Sequence, residues 1–308
     1  MNFDLYVQVD RNKLSLYRSA ALPFTEATMR RLIEHGVTTL YIDGSSRKEY
    51  QIYMEENLAE ILRSPDLPEA KKASILYDTS TELIRDVLEN PTYGENIRRS
   101  KNMVQNTISY MLQGREAFLN LLRLTSVNYT VYTHSVNVCT LSVALAQRLK
   151  NADQKFLYEL GIGALLHDIG KARVSERILN KTTALSAMEQ EIMRRHPRWG
   201  VEMLRETGEV PAAAYSAVLQ HHERGGRKGY PDKLDMHEMH VYGKIVAIAD
   251  SFDAMTTERV YQKAMETYPA LKLMHTLKGH FDSELLREFT MLLGPDGEPI
   301  STSSETAE

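Results

Sequence analysis

The stretch LYELGIGALLHDIGK, residues 157–171, is apolar for most of its length and then sets His167 and Asp168 side by side at its end. Burying an unpaired aspartate costs several kcal/mol, so a chain that carries one into such a run must place an ionic or metallic partner beside it. IVAIADSFDAM, residues 245–255, repeats the pattern: Asp250 closes an apolar helical segment, and Asp253 follows three residues later on nearly the same face. The fold is thereby limited to one that brings an ionic or metallic partner to each of these segments.

Histidine supplies the rest of the pattern. Only His35 precedes residue 134, while nine of the ten histidines lie from His134 to His280, so chemistry belongs to the C-terminal part of the chain. The candidates in order are His134 in YTHS, His167 with Asp168, His196 in RRHP, the adjacent His221 and His222, and Asp250. Neutral imidazoles together with carboxylates suit a first-row transition metal such as Fe, Mn, Co, Ni or Zn, whereas Ca and Mg want oxygen alone. Five imidazoles and two carboxylates exceed what one ion takes, and an aspartate next to a histidine can bridge two. Adjacent side chains on a helix point about 100° apart, so His221 and His222 reach one site only where a helix ends or opens.

Two cations lower the pKa of a water between them and neutralise the phosphoryl oxygens under attack, so no nucleophilic side chain is needed. Lys171, four residues after His167, projects toward the same site if the helix continues that far, where it stabilises developing charge. His237 and His240, spaced like a metal pair, have polar neighbours and read as surface residues.

The architecture read from periodicity is mainly α, with a small α/β unit in front. Phe3, Leu5, Val7 and Val9 alternate with polar residues, Leu14 and Leu16 repeat the pattern after a turn at Asp10–Lys13, and a hairpin follows. TEATMRRLIEHG reads as a helix between Thr25 and Gly36, and VTTLYIDG as a strand. The expected organisation is an accessory domain over 1–65, a helical linker or start of the helical domain over 66–127, an all-helical metal-binding domain over 128–293, and a disordered acidic tail over 294–308. Pro65 and Pro68 punctuate the first junction, and a long helix near 96–125 could support a homodimer.

Charge narrows the partners. The net charge of -4 resides in the tail, which has four acids and no base and leaves 37 acids against 37 bases elsewhere. A neutral body argues against long nucleic acid, which needs a basic stripe, but admits a small phosphorylated ligand in one pocket. One cysteine, Cys139, the absence of an apolar run long enough for a bilayer and an acidic start point to the cytoplasm with no membrane attachment.

The order YTHS, LLHDIGK, ILNK, HP, HHER, GYP, IVAIADSFDAMT and HFDSELLREF, over residues 128–293, resembles the HD-GYP family, a branch of the HD metal-dependent phosphohydrolases. The resemblance implies an all-helical domain that hydrolyses the bacterial messenger cyclic di-GMP to pGpG or GMP; signalling proteins are a separate expected class of partner. It implies metal ligands at His134, His167, Asp168, His196, His221, His222 and Asp250, with Asp168 bridging two ions, iron or else manganese. Thr130 stands where some members carry a third-ion glutamate, so two ions are expected.

Two segments depart from the family pattern. Gly226 and Arg227 replace an expected Asp and Gly before Gly229, Tyr230 and Pro231. In TTERVYQK, Val260 replaces proline and Gln262 the final basic residue, while Arg259 and Tyr261 remain. Arg259 is the expected phosphate or guanine contact, Tyr230 a stacking or hydrogen-bonding residue, and Arg227 an added cation beside the metals. The departures favour, as the alternative, a catalytically weak metal-containing module that binds a nucleotide or a signalling protein. An HD hydrolase of another phosphate ester and a di-iron redox enzyme are the remaining alternatives.

Overall fold

The computed structural model describes residues 1–10, 13–125, 130–258 and 263–294. Two units are distinct, Met1–Ser64 and Pro65 onward.

In the first unit the alternating residues form an antiparallel hairpin of β1 (Leu5–Asp10) and β2 (Lys13–Arg18), with its turn residues outside the described set. Phe3 and Leu5 are buried, and Phe3 packs edge-on against Tyr50 and Tyr53. Helix α1 (Glu26–Glu34) opens on Thr25, whose hydroxyl accepts the Thr28 amide, and stops before Gly36, which has the positive φ of 71° that suits glycine after a helix. VTTLYIDG does not form the expected strand. It makes one bridge, Tyr41 to Tyr6, because Asp43 turns the chain by accepting the Ser45 amide. Helix α2 (Arg47–Arg63) closes the unit with Leu58 and Leu62 buried.

The second unit is helical. After Pro65 and Pro68 come α3 (Glu69–Glu89), α4 (Gly94–Met111) and α5 (Arg115–Leu124). The expected long helix near 96–125 is therefore two helices, broken at Gly114, whose φ of 142° a residue with a Cβ rarely adopts. Next are α6 (Val131–Gln147), α7 (Gln154–Leu165), a 3-10 turn (Ile169–Arg173), α8 (Glu176–Leu179), α9 (Ala187–Met193), α10 (His196–Thr207) and α11 (Tyr215–Gln220). Helices α12 (Val241–Thr256), α13 (Thr267–Thr276) and α14 (Ser283–Leu293) complete the described residues.

Helix α6 is the axis of this unit. Every residue from His134 to Gln147 is buried, as a helix apolar on all sides requires, and α3, α5, α7, α12 and α14 pack around it. Leu141 and Leu145, each fully inside, contribute roughly 1.5–3 kcal/mol apiece. Among the described residues no helix is long and apolar enough to cross a membrane.

Candidate metal centre

Three of the histidines predicted from sequence sit just beyond helix C-termini, where backbone carbonyls lack partners. His167 Nδ1 bonds the Ala164 carbonyl of α7, His196 Nδ1 that of Met193 at the end of α9, and His221 Nδ1 that of Val218 in α11, at 2.7, 2.7 and 2.8 Å. A carbonyl oxygen only accepts, so each Nδ1 carries the proton and each Nε2 presents a bare lone pair. His134, in the first turn of α6, reaches the same state by another route, with Nδ1 2.7 Å from Asp253 Oδ2. The adjacent His221 and His222 lie where α11 ends, which resolves how neighbouring side chains reach one site.

The donors fall into two groups, each with ligand atoms within 4.8 Å of one another: Asp168, His196, His221 and His222, and His134, His167 and Asp250. Asp168 belongs to both by geometry. Its Oδ1 lies 3.2 Å from His196 Nε2 and 3.8 Å from His221 Nε2, while its Oδ2 lies 3.4 Å from His167 Nε2 and 3.7 Å from His134 Nε2. Asp250 also spans, with Oδ1 3.2 Å from His134 Nε2 and Oδ2 3.5 Å from His222 Nδ1.

This arrangement fits cations. His196 Nε2 and His221 Nε2 face each other at 3.1 Å, although in each ring the proton sits on Nδ1, which donates to a backbone carbonyl, so two lone pairs oppose. His167 Nε2 and Asp168 Oδ1 are buried with no hydrogen-bond partner, a costly condition that a metal ion relieves. Electrostatics agree. Burial, with neighbouring imidazoles, pushes His221 well below its usual range, and burial also prevails over Asp250 and Asp168 to lower His222, so both stay neutral. Burial works to raise Asp168, but the Lys171 ammonium beside it holds that carboxyl well below the usual range. Lys171 does not ride on a continued helix: α7 tightens into the 3-10 turn, which puts its Nζ 2.5 Å from Asp168 Oδ2. Gly170 permits that turn to press on α10, since a Cβ there would lie 2.0 Å from the His196 carbonyl oxygen.

The cluster opens at His222, whose side chain is 22% exposed while those of His134, His167, Asp168, His196 and His221 are nearly inaccessible. Tyr230 stacks on His222 with ring centroids 4.7 Å apart, and Arg194 sets its guanidinium 5.4 Å from the Tyr230 ring centre. Burial and Asp250 raise the Tyr230 hydroxyl above its usual range, so it stays protonated. The loop that delivers Tyr230 is seated by Glu223, a buried carboxylate that accepts from the Asp232 and Leu234 amides at 2.6 and 3.0 Å.

Arg227 is placed differently from the other site candidates. Its φ is 60°, and its exposed guanidinium bonds Glu238 at 3.0 Å and the Lys233 carbonyl at 3.4 Å rather than an imidazole. Arg259, Val260, Tyr261 and Gln262 lie outside the described residues. Thr130 is the N-cap of α6, where its hydroxyl accepts the Thr133 amide. His240 caps α12, accepting the Tyr242 amide, and His237 is exposed. Sequence alone assigns no role to Asp253, Glu223 or Arg194; for Asp253, the signal is its spacing three residues after Asp250 on a buried face.

The HD domain family model matches residues 111–285. The chain is 31% identical over 290 residues to a cyclic di-GMP phosphodiesterase of Pseudomonas aeruginosa, covering 90% of this chain and 70% of that one. It is 34% identical over 163 residues to a cyclic di-GMP phosphodiesterase of Thermotoga maritima, covering 52% of this chain and 44% of the relative. Among solved structures, an HDG"Y"P protein from Bdellovibrio bacteriovorus superposes with a TM-score of 0.69 at 22% identity, over 95% of this chain and 94% of the other, a likeness of fold.

Proposed function

The chain belongs to the HD domain family, in its HD-GYP branch, and on that premise we propose that it is a phosphodiesterase that hydrolyses cyclic di-GMP to pGpG or GMP. The reading includes two ions, iron or else manganese, held by His134, His167, Asp168, His196, His221, His222 and Asp250, in a cytoplasmic bacterial setting. The observation that carries it is Asp168, one oxygen toward each group of imidazole nitrogens. Bound metal would supply Lewis-acid charge and activation of water.

The protein's own groups do the rest. Imidazoles whose Nδ1 hydrogens are donated to backbone carbonyls turn their Nε2 lone pairs toward the proposed ions. Lys171 keeps Asp168 ionised and adds positive charge where the phosphoryl oxygens gain negative charge. Tyr230, stacked on His222 at the open side, offers its ring to a guanine base, with Arg194 beside it to attract phosphate. Arg259 completes the proposed phosphate contacts, and Arg227 joins them once it leaves Glu238. Hydrolysis adds a water oxygen to phosphorus, breaks one P–O3′ bond and passes a proton to the departing 3′ oxygen.

One observation favours a second reading, a weakly catalytic binding module: Arg227 occupies a left-handed conformation and pairs with Glu238, in the loop that departs from the family. Protein loaded anaerobically with Fe(II) or Mn(II) and incubated with cyclic di-GMP separates the two by chromatography of products. Formation of pGpG or GMP supports the enzyme; binding without turnover supports the module; neither points to another phosphate ester.

A further inference from the structure

Asp253 is buried in α12, and its carboxylate accepts from three side chains of the second unit. Its Oδ2 takes the His134 Nδ1 hydrogen at 2.7 Å. Its Oδ1 accepts from Asn137 Nδ2 at 2.7 Å and from the Thr257 hydroxyl at 3.1 Å. Asn137 is itself fixed: Nδ2 also donates to the Thr125 carbonyl at 3.0 Å, and Oδ1 accepts from the Tyr77 hydroxyl of α3 at 2.9 Å. The Asn137 amide is thus used at both ends, so it cannot flip, and its NH2 faces the carboxylate.

His134 needs this support more than the other imidazoles do. His167, His196 and His221 are oriented by carbonyls of the helix that each follows, local contacts made as those helices end. His134 lies in the first turn of α6, and the partner of its Nδ1 comes from 119 residues away. A carboxylate there holds a proton on Nδ1, so that Nε2, 3.2 Å from Asp250 Oδ1 and within the group formed with His167, is the nitrogen left to act as the donor to an ion.

We propose that Asp253 is a positioning residue: with Asn137, Tyr77 and Thr257 behind it, it sets the His134 tautomer, and through it the ion held by His134, His167 and Asp250. The proposal rests on the two-ion reading above. Asp253→Asn keeps the shape but can turn an NH2 toward His134 Nδ1, which moves the ring proton to Nε2 and blocks that donor. The group of Asp168, His196, His221 and His222 does not depend on this contact. One ion is therefore weakened about 10–100-fold while the other is retained.

Full-length wild type and D253N, stripped and titrated with Mn(II), are compared by elemental analysis after dialysis and by histidine 15N spectra of the metal-free proteins. The expected results are a wild-type His134 with protonated Nδ1, two bound ions falling toward one in the variant, and the ring proton moved to Nε2. Unchanged stoichiometry and affinity in D253N overturn the proposal. So does a bare Nδ1 in wild-type His134, a result that stands even if the variant does not fold. A wild type that binds no more than one ion defeats the two-ion reading instead, and the proton positions still decide the role of Asp253.

Discussion

Lys171 Nζ lies 2.5 Å from Asp168 Oδ2, the carboxylate oxygen that faces His167 and His134. A cation this close stabilises the ionised aspartate, and it stands beside the place where the proposed substrate gains charge. Replacing Lys171 by Met removes both effects while keeping most of the side-chain length. Turnover of cyclic di-GMP should fall about 10²–10³-fold, with KM changed far less. A variant with near wild-type kcat and full metal content would leave Lys171 a structural role only.

Tyr230 contributes a ring against His222 and a protonated hydroxyl. Stacking and hydrogen bonding separate by two substitutions. Tyr230→Phe should bind substrate with little loss, and Tyr230→Ala should weaken it by about 1–3 kcal/mol, the value of one stacked base. Calorimetric titration with a non-hydrolysable cyclic dinucleotide reads the difference; equal weakening in both variants would shift the role to the hydroxyl.

Arg227 sits at φ 60°, where a side chain costs roughly 1–2 kcal/mol and glycine costs almost nothing. Its pair with Glu238 is exposed and offsets little of that. Arg227→Gly should therefore raise Tm, by about 2–4 °C for each kcal/mol of strain relieved in a unit of this size. Gly226, at φ 70°, should lose stability when exchanged for Asp. If the double exchange, which restores the family pattern, also raises turnover, the loop limits catalysis; no gain leaves that explanation without support.

The metal-free protein should weaken in mild acid. His221 and His222 are held well below 6.5 by burial first of all, so between their folded values and 6.5 the unfolded chain binds protons that the folded one refuses. Stability from these groups is complete above about pH 6.5 and declines as pH falls below it. Asp168 and Asp250 act in a lower window: both are depressed below 3.8, so their contribution is present above that value and is lost on further acidification. Urea midpoints measured from about pH 8 to about pH 5 should fall in the metal-free protein and fall less with saturating Mn(II), which competes with protons for the same nitrogens. A flat profile would contradict neutral buried imidazoles.

What the sequence determined by itself was the kind of donor and its local setting. His167 and Asp168 end an apolar run, and His221 and His222 precede a glycine-rich turn; helix ends expose carbonyls that orient an imidazole within three residues. Such contacts are short-range and leave a mark in periodicity. The helical character of the second unit was legible for the same reason. The break at Gly114 and the single bridge at Tyr41 were not, because each depends on a turn that outweighs a periodic pattern. Tertiary packing alone decided that Asp168 faces both groups, that Asp253 reaches across 119 residues to His134, and that Arg227 turns to Glu238. Those relations depend on how α6, α7, α11 and α12 lie against one another, and spacing along the chain carries no record of the distance between side chains on different helices.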